Sequence, residues 1–298
     1  MISNKSFNLK QSGIAYLFLA PAFLFIVVFI AYPLVYSFYL TFTEYDFVYD
    51  SSPRWAGVSQ YVSIWQDKNF ISSLQNTIVF AVLYYSIVMV FSLIIAFIIA
   101  ELSKGQTFYQ LAVYLPIIVP LSLAGVIFAW ILDPTFGVLN HMLRTLGFES
   151  LATKNWLSDY STALPSIVMI TLWKYVGFNV VIFLAGIQGV GRDILDAAKV
   201  DGASFFQEKI LVVLPNIKSY LAMASLYSIV QAIKVFEVPY VTTGGGPGTA
   251  TLTLYLYSWR TAFGYYKMGK AATIAYITAV LIVCFSVLSN KFLEEKEK

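Results

Sequence analysis

Few side chains in the long apolar segments of this chain can ionise, and those few are the first candidates for chemistry. Lys174 lies within one apolar segment, and Lys234 and Glu237 lie near the end of a later one. An ionisable group at membrane depth usually lines a solvated path or pairs with another charge. Lys234 and Glu237 are three residues apart, so they could pair on one helix face, with Lys234 extending its ammonium group towards the interface. A solvated path and a structural ion pair are both open.

Uncharged polar and aromatic side chains could belong to the same path. Asn179 and Gln231 could hydrogen-bond the hydroxyl groups of a solute, or they could join neighbouring helices. Tyrosines could stack on the ring of a solute, but with 21 tyrosines in the chain packing is the alternative for each, including Tyr84 and Tyr175. The candidates for a substrate path are Tyr85, Asn179, Gln231, Lys234 and Glu237.

The residue sets that support catalysis or metal binding do not occur. The chain has one histidine, His141, and one cysteine, Cys284, so a zinc or haem site is not expected and no internal disulfide bond can form. There is also no phosphate-binding GxxxxGK[ST] loop. We assign no catalytic residue and no metal to this chain. Energy for any process must come from an ion gradient or from another chain.

The composition places the chain in a membrane. Hydrophobic residues make up 59% and charged residues 12%, whereas about a quarter of a soluble domain is charged. The net charge of +3 gives no reason to expect nucleic acid as a partner. A helix needs about 20 mostly apolar residues to cross a bilayer. Six segments qualify, and we expect an all-α membrane protein with one domain over residues 1–298: 14–38, 76–100, 109–132, 164–188, 214–236 and 269–289.

The arrangement of the spans predicts which segments share a side. The first apolar run is long for a signal peptide and lacks a cleavage pattern, so we interpret it as a retained membrane helix. Six spans put both termini on one side. Lysine and arginine outside the spans number ten on that side and seven on the other, a bias that favours cytoplasmic termini. The outer connections are long (43–70, 133–163 and 238–267), and the one long inner connection is 189–213.

That inner connection predicts two short helices, and we call residues 191–215 the bracket. Asp193 could cap the first helix, and Gly202 suits a left-handed turn that ends it. Ser204 and Gln207 have the spacing of a capping box, which starts a second helix. Pro215 could then open the fifth span. The bracket could anchor a loop at the lipid surface, or it could receive a soluble partner.

The bracket resembles the EAA loop of the permease subunits of binding-protein-dependent ABC importers. That motif is Glu-Ala-Ala, three residues, Gly, nine residues, Ile-x-Leu-Pro. Asp196 here replaces the usual glutamate, Lys209 lies where an aromatic residue is usual, and Ser219 lies where many relatives have a second proline. The acidic residue, the turn glycine and the Leu-Pro end are kept. The matching residues, which the resemblance implies contact the ATPase, are Asp196, Ala197, Ala198, Asp201, Gly202, Ala203, Leu214 and Pro215.

Further segments resemble the same family in the same order along nearly the whole chain. They include Asn76-Thr77, Leu115-Pro116 and Leu184-Ala185-Gly186. The glycine-rich segment resembles the TGGGP segment that follows the fifth helix of sugar-importer permeases. A flexible loop that faces the binding protein and a plain turn are both open for it. Its residues are Gly244, Gly245, Gly246 and Pro247.

The resemblance implies a type I ABC importer permease fold and a carbohydrate as the imported solute, as in the maltose- and glycerol-phosphate-importer permeases. It implies a second, homologous permease, two ATPase subunits and an extracytoplasmic sugar-binding protein as partners, in a bacterial-type inner membrane. ATP and Mg²⁺ would bind to the ATPase, and no cofactor would bind to this chain. Residues 191–215 would be the cytoplasmic coupling loop.

Two other classes of protein deserve comparison. A gradient-driven secondary transporter would use no ATPase, but we find no inverted repeat in the sequence. A membrane enzyme would need a cluster of histidine or carboxylate groups at membrane depth, and His141 in an outer connection does not supply one. The identity of the solute stays open among oligosaccharide, monosaccharide, polyol and glycerol phosphate.

Overall fold

The computed structural model describes the backbone of residues 9–294 and the side-chain surroundings of residues 16–291. In chain order the helices are α1 (Leu9–Ile26), α2 (Tyr32–Leu40), α3 (Ser59–Ser63), α4 (Lys68–Ala100), α5 (Gln106–Tyr114), α6 (Leu121–Ile131), α7 (Val138–Thr145), α8 (Glu149–Ala152), α9 (Ala163–Gln188), α10 (Arg192–Val200), α11 (Phe205–Gln207), α12 (Leu214–Asn216), α13 (Lys218–Ile233), α14 (Glu237–Thr242), α15 (Leu254–Trp259) and α16 (Met268–Glu294).

Short irregular elements join these helices. Three π-helical segments cover Val27–Ala31, Glu208–Val213 and Arg260–Gly264, and two 3₁₀ turns cover Ile64–Gln66 and Leu115–Ile118. The strands β1 (Thr43–Glu44) and β2 (Arg54–Trp55) form a small antiparallel ribbon in which Thr43 is opposite Trp55.

Within the described residues, five helical stretches are long and apolar enough to cross a bilayer, and a bent pair of helices supplies a sixth span. The prediction of six spans in an all-α protein is therefore confirmed, with the third span broken. In chain order, the first to sixth spans are Tyr16–Leu40, Lys68–Ala100, the bent pair Gln106–Ile118 and Leu121–Ile131, Ala163–Gln188, Lys218–Thr242 and Met268–Lys291.

The prediction of a continuous third span over 109–132 was wrong. Its two halves meet at an angle of 96°. Val119 adopts an extended conformation with φ −68° and ψ 125°, because the ring of a following proline disfavours the helical conformation of the residue before it. Pro120 also lacks the N–H that would continue the helix. The break leaves main-chain carbonyl groups that need other donors.

The fifth span also differs from its prediction. It begins as a regular helix at Lys218 rather than at Leu214, because Ile217 with φ −103° and ψ 18° interrupts the helix that contains Pro215. The regular part ends at Ile233, and a new short helix, α14, starts at Glu237. Pro215 therefore lies in a short turn ahead of the fifth span and does not open it.

The core is built on the second and fourth spans, α4 and α9, and α13 packs against both. One apolar cluster, which includes Phe80 and Ile167, fills the middle of this bundle. A second cluster joins Ile99 and Phe183 to the bracket through Val213. The third joins Phe70 to α15 and α16. The bracket is thus continuous with the packed core of the chain.

Contacts at the two ends of the bundle show which connections share a side. Glu101, directly after α4, contacts Lys209 of the bracket. At the opposite end Asp67 pairs with Lys270 at 2.6 Å, and Asp46 pairs with Lys267 through the main chain. These contacts group the connections as the sequence predicts: 43–67 lies with 260–270, and 101–105 lies with 191–215.

The first span packs least of all. None of the side chains in its most apolar window is buried. Its contacts with the rest of the chain lie near its end, where the hydroxyl of Tyr276 donates to the carbonyl of Leu34 at 2.6 Å and the rings of Phe38 and Tyr276 are 5.2 Å apart. Lipid or another chain must cover the remainder, since apolar side chains line it throughout.

Candidate functional site

The first helix of the bracket, α10, is not capped by a side chain. Gly191 occupies the N-cap position, so the prediction that Asp193 caps this helix was wrong. Asp193 lies in the first turn instead, where its carboxylate still faces the positive end of the helix dipole. Asp196 follows on the exposed side and forms a surface ion pair with Lys199 at 3.8 Å.

The turn that ends α10 has the predicted geometry. Gly202 has φ +80°, in the left-handed region that glycine adopts without strain. The N–H of Gly202 donates to Lys199 at 3.1 Å, and the N–H of Ala203 donates to Ala198 at 3.0 Å. This pair of hydrogen bonds is a Schellman motif. A Cβ atom at Gly202 would meet nothing within 4 Å in this chain, so the surface above the turn is open.

The second half of the bracket begins with the predicted capping box. The Ser204 N–H donates to Gln207 Oε1 at 2.8 Å, and the Gln207 N–H donates to Ser204 Oγ at 3.4 Å. The helix then widens into the π-helical segment Glu208–Val213 before it reaches Pro215. The capping-box prediction is confirmed, but nothing in the residue pattern indicated the π-helix.

The bracket has one buried side and one exposed side. Ala198 and Val213 are buried, and Leu195 and Leu214 pack partly against the cluster that contains Ile99. Ala197, Asp201 and Gly202 are exposed. Large apolar side chains are exposed as well, which is costly for a surface in water. They are Val200 at 87%, Phe206 at 73%, Leu211 at 68% and Ile210 at 57%. These exposed side chains are available for contact with an apolar partner.

The glycine-rich segment is held by hydrogen bonds along its whole length. The hydroxyl groups of Thr243 and Thr251 lie 2.6 Å apart, and Thr251 Oγ1 donates to the carbonyl of Gly246 at 2.8 Å. Arg260 donates to the carbonyl of Gly244. Gly244 is exposed, whereas Gly245 is buried. This bonding does not agree with the flexible loop that the glycines suggested.

Two separate motifs meet at this segment. Asn76 of α4 donates through Nδ2 to the carbonyl of Thr249 at 2.6 Å and to that of Leu252 at 3.0 Å. The Thr77 hydroxyl accepts from the Leu254 N–H at 2.9 Å. The residues are more than 170 positions apart, and their contact ties the glycine-rich segment to the second span.

The polar candidates for a substrate path do not converge on one point. Asn179 is fully buried and donates to Ser228 Oγ at 3.1 Å, which joins α9 to α13. Tyr85 shares a hydrogen bond of 2.7 Å with Ser225, which in turn contacts Ser289 at 2.5 Å. Gln231 is half-buried on α13.

Lys234 and Glu237 do not form the predicted pair on one helix face. Lys234 directly follows α13 and Glu237 begins α14, and Phe236 lies between them in an irregular conformation. Both side chains are exposed, and no ion pair joins them in the part of the chain that the structure describes. Lys234 instead borders a cavity of about 320 Å³ whose other walls include Tyr255, Trp259 and Thr278.

A second cavity is larger and more apolar. It measures about 450 Å³ and lies between α4, α13 and α16, with Tyr85, Ser289 and Phe285 among its walls. Its polar groups are few, so it suits an apolar occupant better than a hydrated solute.

Lys174 has a role that the sequence did not indicate. It is only 7% exposed, and its Nζ donates to the carbonyl of Ile117 at 2.9 Å and to that of Val119. These are the carbonyl groups at the break in the third span. The presence of Pro120 in an apolar run was the signal that such a donor would be needed.

Comparison with known proteins agrees with this architecture. Residues 92–292 match the family described as "binding-protein-dependent transport system inner membrane component". The chain is 28% identical over 290 residues to the sulfoquinovosyl glycerol transport system permease protein SmoG of Agrobacterium fabrum, which covers 97% of this chain and 93% of the relative. It is 29% identical over 285 residues to the trehalose/maltose transport system permease protein MalF of Thermococcus litoralis, with 95% and 94% covered.

A solved structure shows the same fold. A chain from the crystal structure of a bacterial alginate ABC transporter, in complex with an alginate pentasaccharide-bound periplasmic protein, superposes with a TM-score of 0.83 at 22% identity. The superposition covers 97% of each chain. Together with the family match, it does not favour a gradient-driven secondary transporter. This chain belongs to the family of inner membrane components of binding-protein-dependent transport systems and is a multi-pass permease subunit of an ABC importer.

Proposed function

We propose that this permease imports a carbohydrate or a closely related polyol, and that its bracket receives the ATPase that drives import. The observation behind the proposal is the bracket itself: a pair of short helical segments, packed on the core on one side, with large apolar side chains exposed elsewhere. The relatives named for sulfoquinovosyl glycerol and for trehalose and maltose support a sugar-like solute.

In this account the ATPase contacts the exposed side of the bracket around Asp196, Ala197, Asp201 and Gly202. The open space above Gly202 lets another surface come close to the main chain. Ala198 and Leu214 act differently, because they hold the bracket on the core. Movement of the ATPase would then displace the spans through rigid-body motion.

A second permease and a binding protein are the other partners that we propose. A second, homologous permease completes the path, and the exposed first span offers apolar surface for contacts within the membrane. The extracytoplasmic binding protein docks at the end opposite the bracket, where Gly244 is exposed. The bracket and both termini then lie in the cytoplasm, and ATP with Mg²⁺ binds to the ATPase.

The solute is tested in nanodiscs that contain the complete complex. ATP hydrolysis is measured with the binding protein and a panel made of a neutral disaccharide, an acidic oligosaccharide, a polyol and glycerol phosphate. We expect at least one sugar or polyol to stimulate hydrolysis only when the binding protein is present. Stimulation by none of the four, with an amino acid or a peptide active instead, would contradict the carbohydrate proposal.

A further inference from the structure

A buried group of charges joins the bracket to the second span. Lys209 Nζ contacts the carboxylate of Glu101 and lies 2.7 Å from Glu208 Oε1. The side chains of Lys209 and Glu208 are only 9% and 10% exposed, whereas that of Glu101 is 51% exposed. The ring of Phe205 lies 5.0 Å from the ammonium group. This lysine is therefore largely shielded from water, and Glu101 is the more exposed of its two carboxylate partners.

The environment keeps Lys209 charged. Burial alone would lower the pKa of its ammonium group, but hydrogen bonds to Glu101 and Glu208 and the charges of these carboxylates raise that pKa above its ordinary value. Lys209 also contacts the residue that directly follows α4, near the helix end whose dipole attracts a cation. A buried ion pair contributes little net stability, because desolvation offsets the attraction, but it can fix one geometry.

The position of this cluster is what suggests its function. Within the chain, the bracket is joined covalently to the fifth span through Ile217, where the helix is interrupted. Its contacts with the second span include apolar packing around Ile99 and the charged contact of Lys209 with Glu101. Apolar packing can slide, whereas an ion pair with hydrogen bonds is directional.

We propose that Glu101 and Lys209 form the joint that transmits displacement of the bracket to the second span. Glu101 is a positioning residue in this proposal, and it contacts neither the solute nor ATP. The inference rests on the proposed function, in which an ATPase moves the bracket. Without the joint, the bracket would follow the ATPase while α4 lagged behind, and ATP would be hydrolysed with less import.

The test uses Glu101→Cys in a Cys284→Ser background, since Cys284 is the only native cysteine. Glu101 is the member of choice because Lys209 keeps Glu208 as a partner when Glu101 is lost. The complete complex in proteoliposomes is assayed for solute imported per ATP hydrolysed. The cysteine is then modified with a sulfonatoethyl thiosulfonate, which restores a negative charge, or with an aminoethyl thiosulfonate, which adds a positive one.

We expect Glu101→Cys to retain the ATPase on the complex but to lower import per ATP at least about fivefold, the lower end of typical coupling between sites. The anionic reagent should restore most of this ratio, and the cationic reagent should not. Both measurements use one folded preparation, so a folding defect cannot imitate the rescue. Lys104→Cys, an exposed charge three residues away, is the matched control and should respond to neither reagent.

Two results would overturn the joint. One is that Glu101→Cys imports within about twofold as much solute per ATP as the complex that carries Glu101, and the other is that the two reagents have equal effects. Failure of the proposed function would be visible separately, because the unsubstituted chain would then retain no ATPase at all.

Discussion

Lys174 of the fourth span donates from Nζ to the main-chain carbonyl of Ile117 at 2.9 Å, and this hydrogen bond satisfies a carbonyl group at the break in the third span. The side chain of a charged residue thereby replaces the main-chain donors that Pro120 and the bend remove. A lysine within an apolar segment is a candidate for a solute path on sequence grounds, but its contacts here are with the protein backbone.

We expect Lys174→Met to destabilise the chain by about 1–3 kcal/mol, because buried carbonyl groups lose their partner. The expected result is a lower midpoint of thermal unfolding for the purified complex, with import per folded molecule nearly unchanged. Lys174→Arg should recover part of the stability. If Lys174→Met has the same midpoint of thermal unfolding as the unsubstituted chain but changes which solutes are imported, Lys174 lines the path instead.

Asn76→Ala should loosen the glycine-rich segment. The substitution removes the two hydrogen bonds that Asn76 donates to Thr249 and Leu252, at a cost of about 1–3 kcal/mol. Limited proteolysis should then cut near Gly244 sooner. Asn69→Ala is the matched control, since Asn69 lies on the same helix with an exposed side chain. Equal protease resistance of both variants would argue against the tie between α4 and this segment.

Gly177→Ala should prevent correct packing of the fourth span against the first half of the third. A Cβ atom there would lie 2.0 Å from the main-chain oxygen of Val113, so the helices would have to separate. We expect a marked loss of folded protein by fluorescence-detected size exclusion. Gly264→Ala, whose Cβ would meet only Arg260 Cγ at 3.4 Å, should be tolerated. Normal yields of Gly177→Ala would show that this close approach is not required.

Gly202→Asp should insert and fold but lose coupling to the ATPase. The cost within this chain is the left-handed conformation alone, about 1–2 kcal/mol, since no atom lies within 4 Å of the added Cβ. A charged side chain would also obstruct a close partner. Gly147→Asp is the matched control, because Gly147 has φ +84° and equal open space in another connection. Wild-type uptake in Gly202→Asp would exclude the bracket turn as the contact with the ATPase.

The sequence predicted local features best where one residue decides the geometry. Gly202 and the Ser204–Gln207 capping box have the expected conformations, since their signals are steric and local. The predicted fourth span, 164–188, also agrees with the helix Ala163–Gln188. These predictions need no knowledge of the rest of the fold.

Features that depend on distant contacts could not be predicted in the same way. The clustering of Lys209 with Glu101 and the donation by Lys174 to the third span join residues 108 and 57 positions apart. Lys234 and Glu237 have helical spacing, but the chain leaves the helix between them. In each case tertiary packing decided the outcome, and the spacing of the residues did not reveal it.

We propose that this chain works as a permease with an ATPase on its bracket. The most direct measurement is co-purification of the tagged chain with its genomic neighbours in detergent, followed by reconstitution and uptake with ATP. We predict that a soluble ATPase and a second permease are retained, that Gly202→Asp loses the ATPase but keeps the second permease, and that uptake requires ATP. A single chain that imports solute after reconstitution without an ATPase would contradict the account.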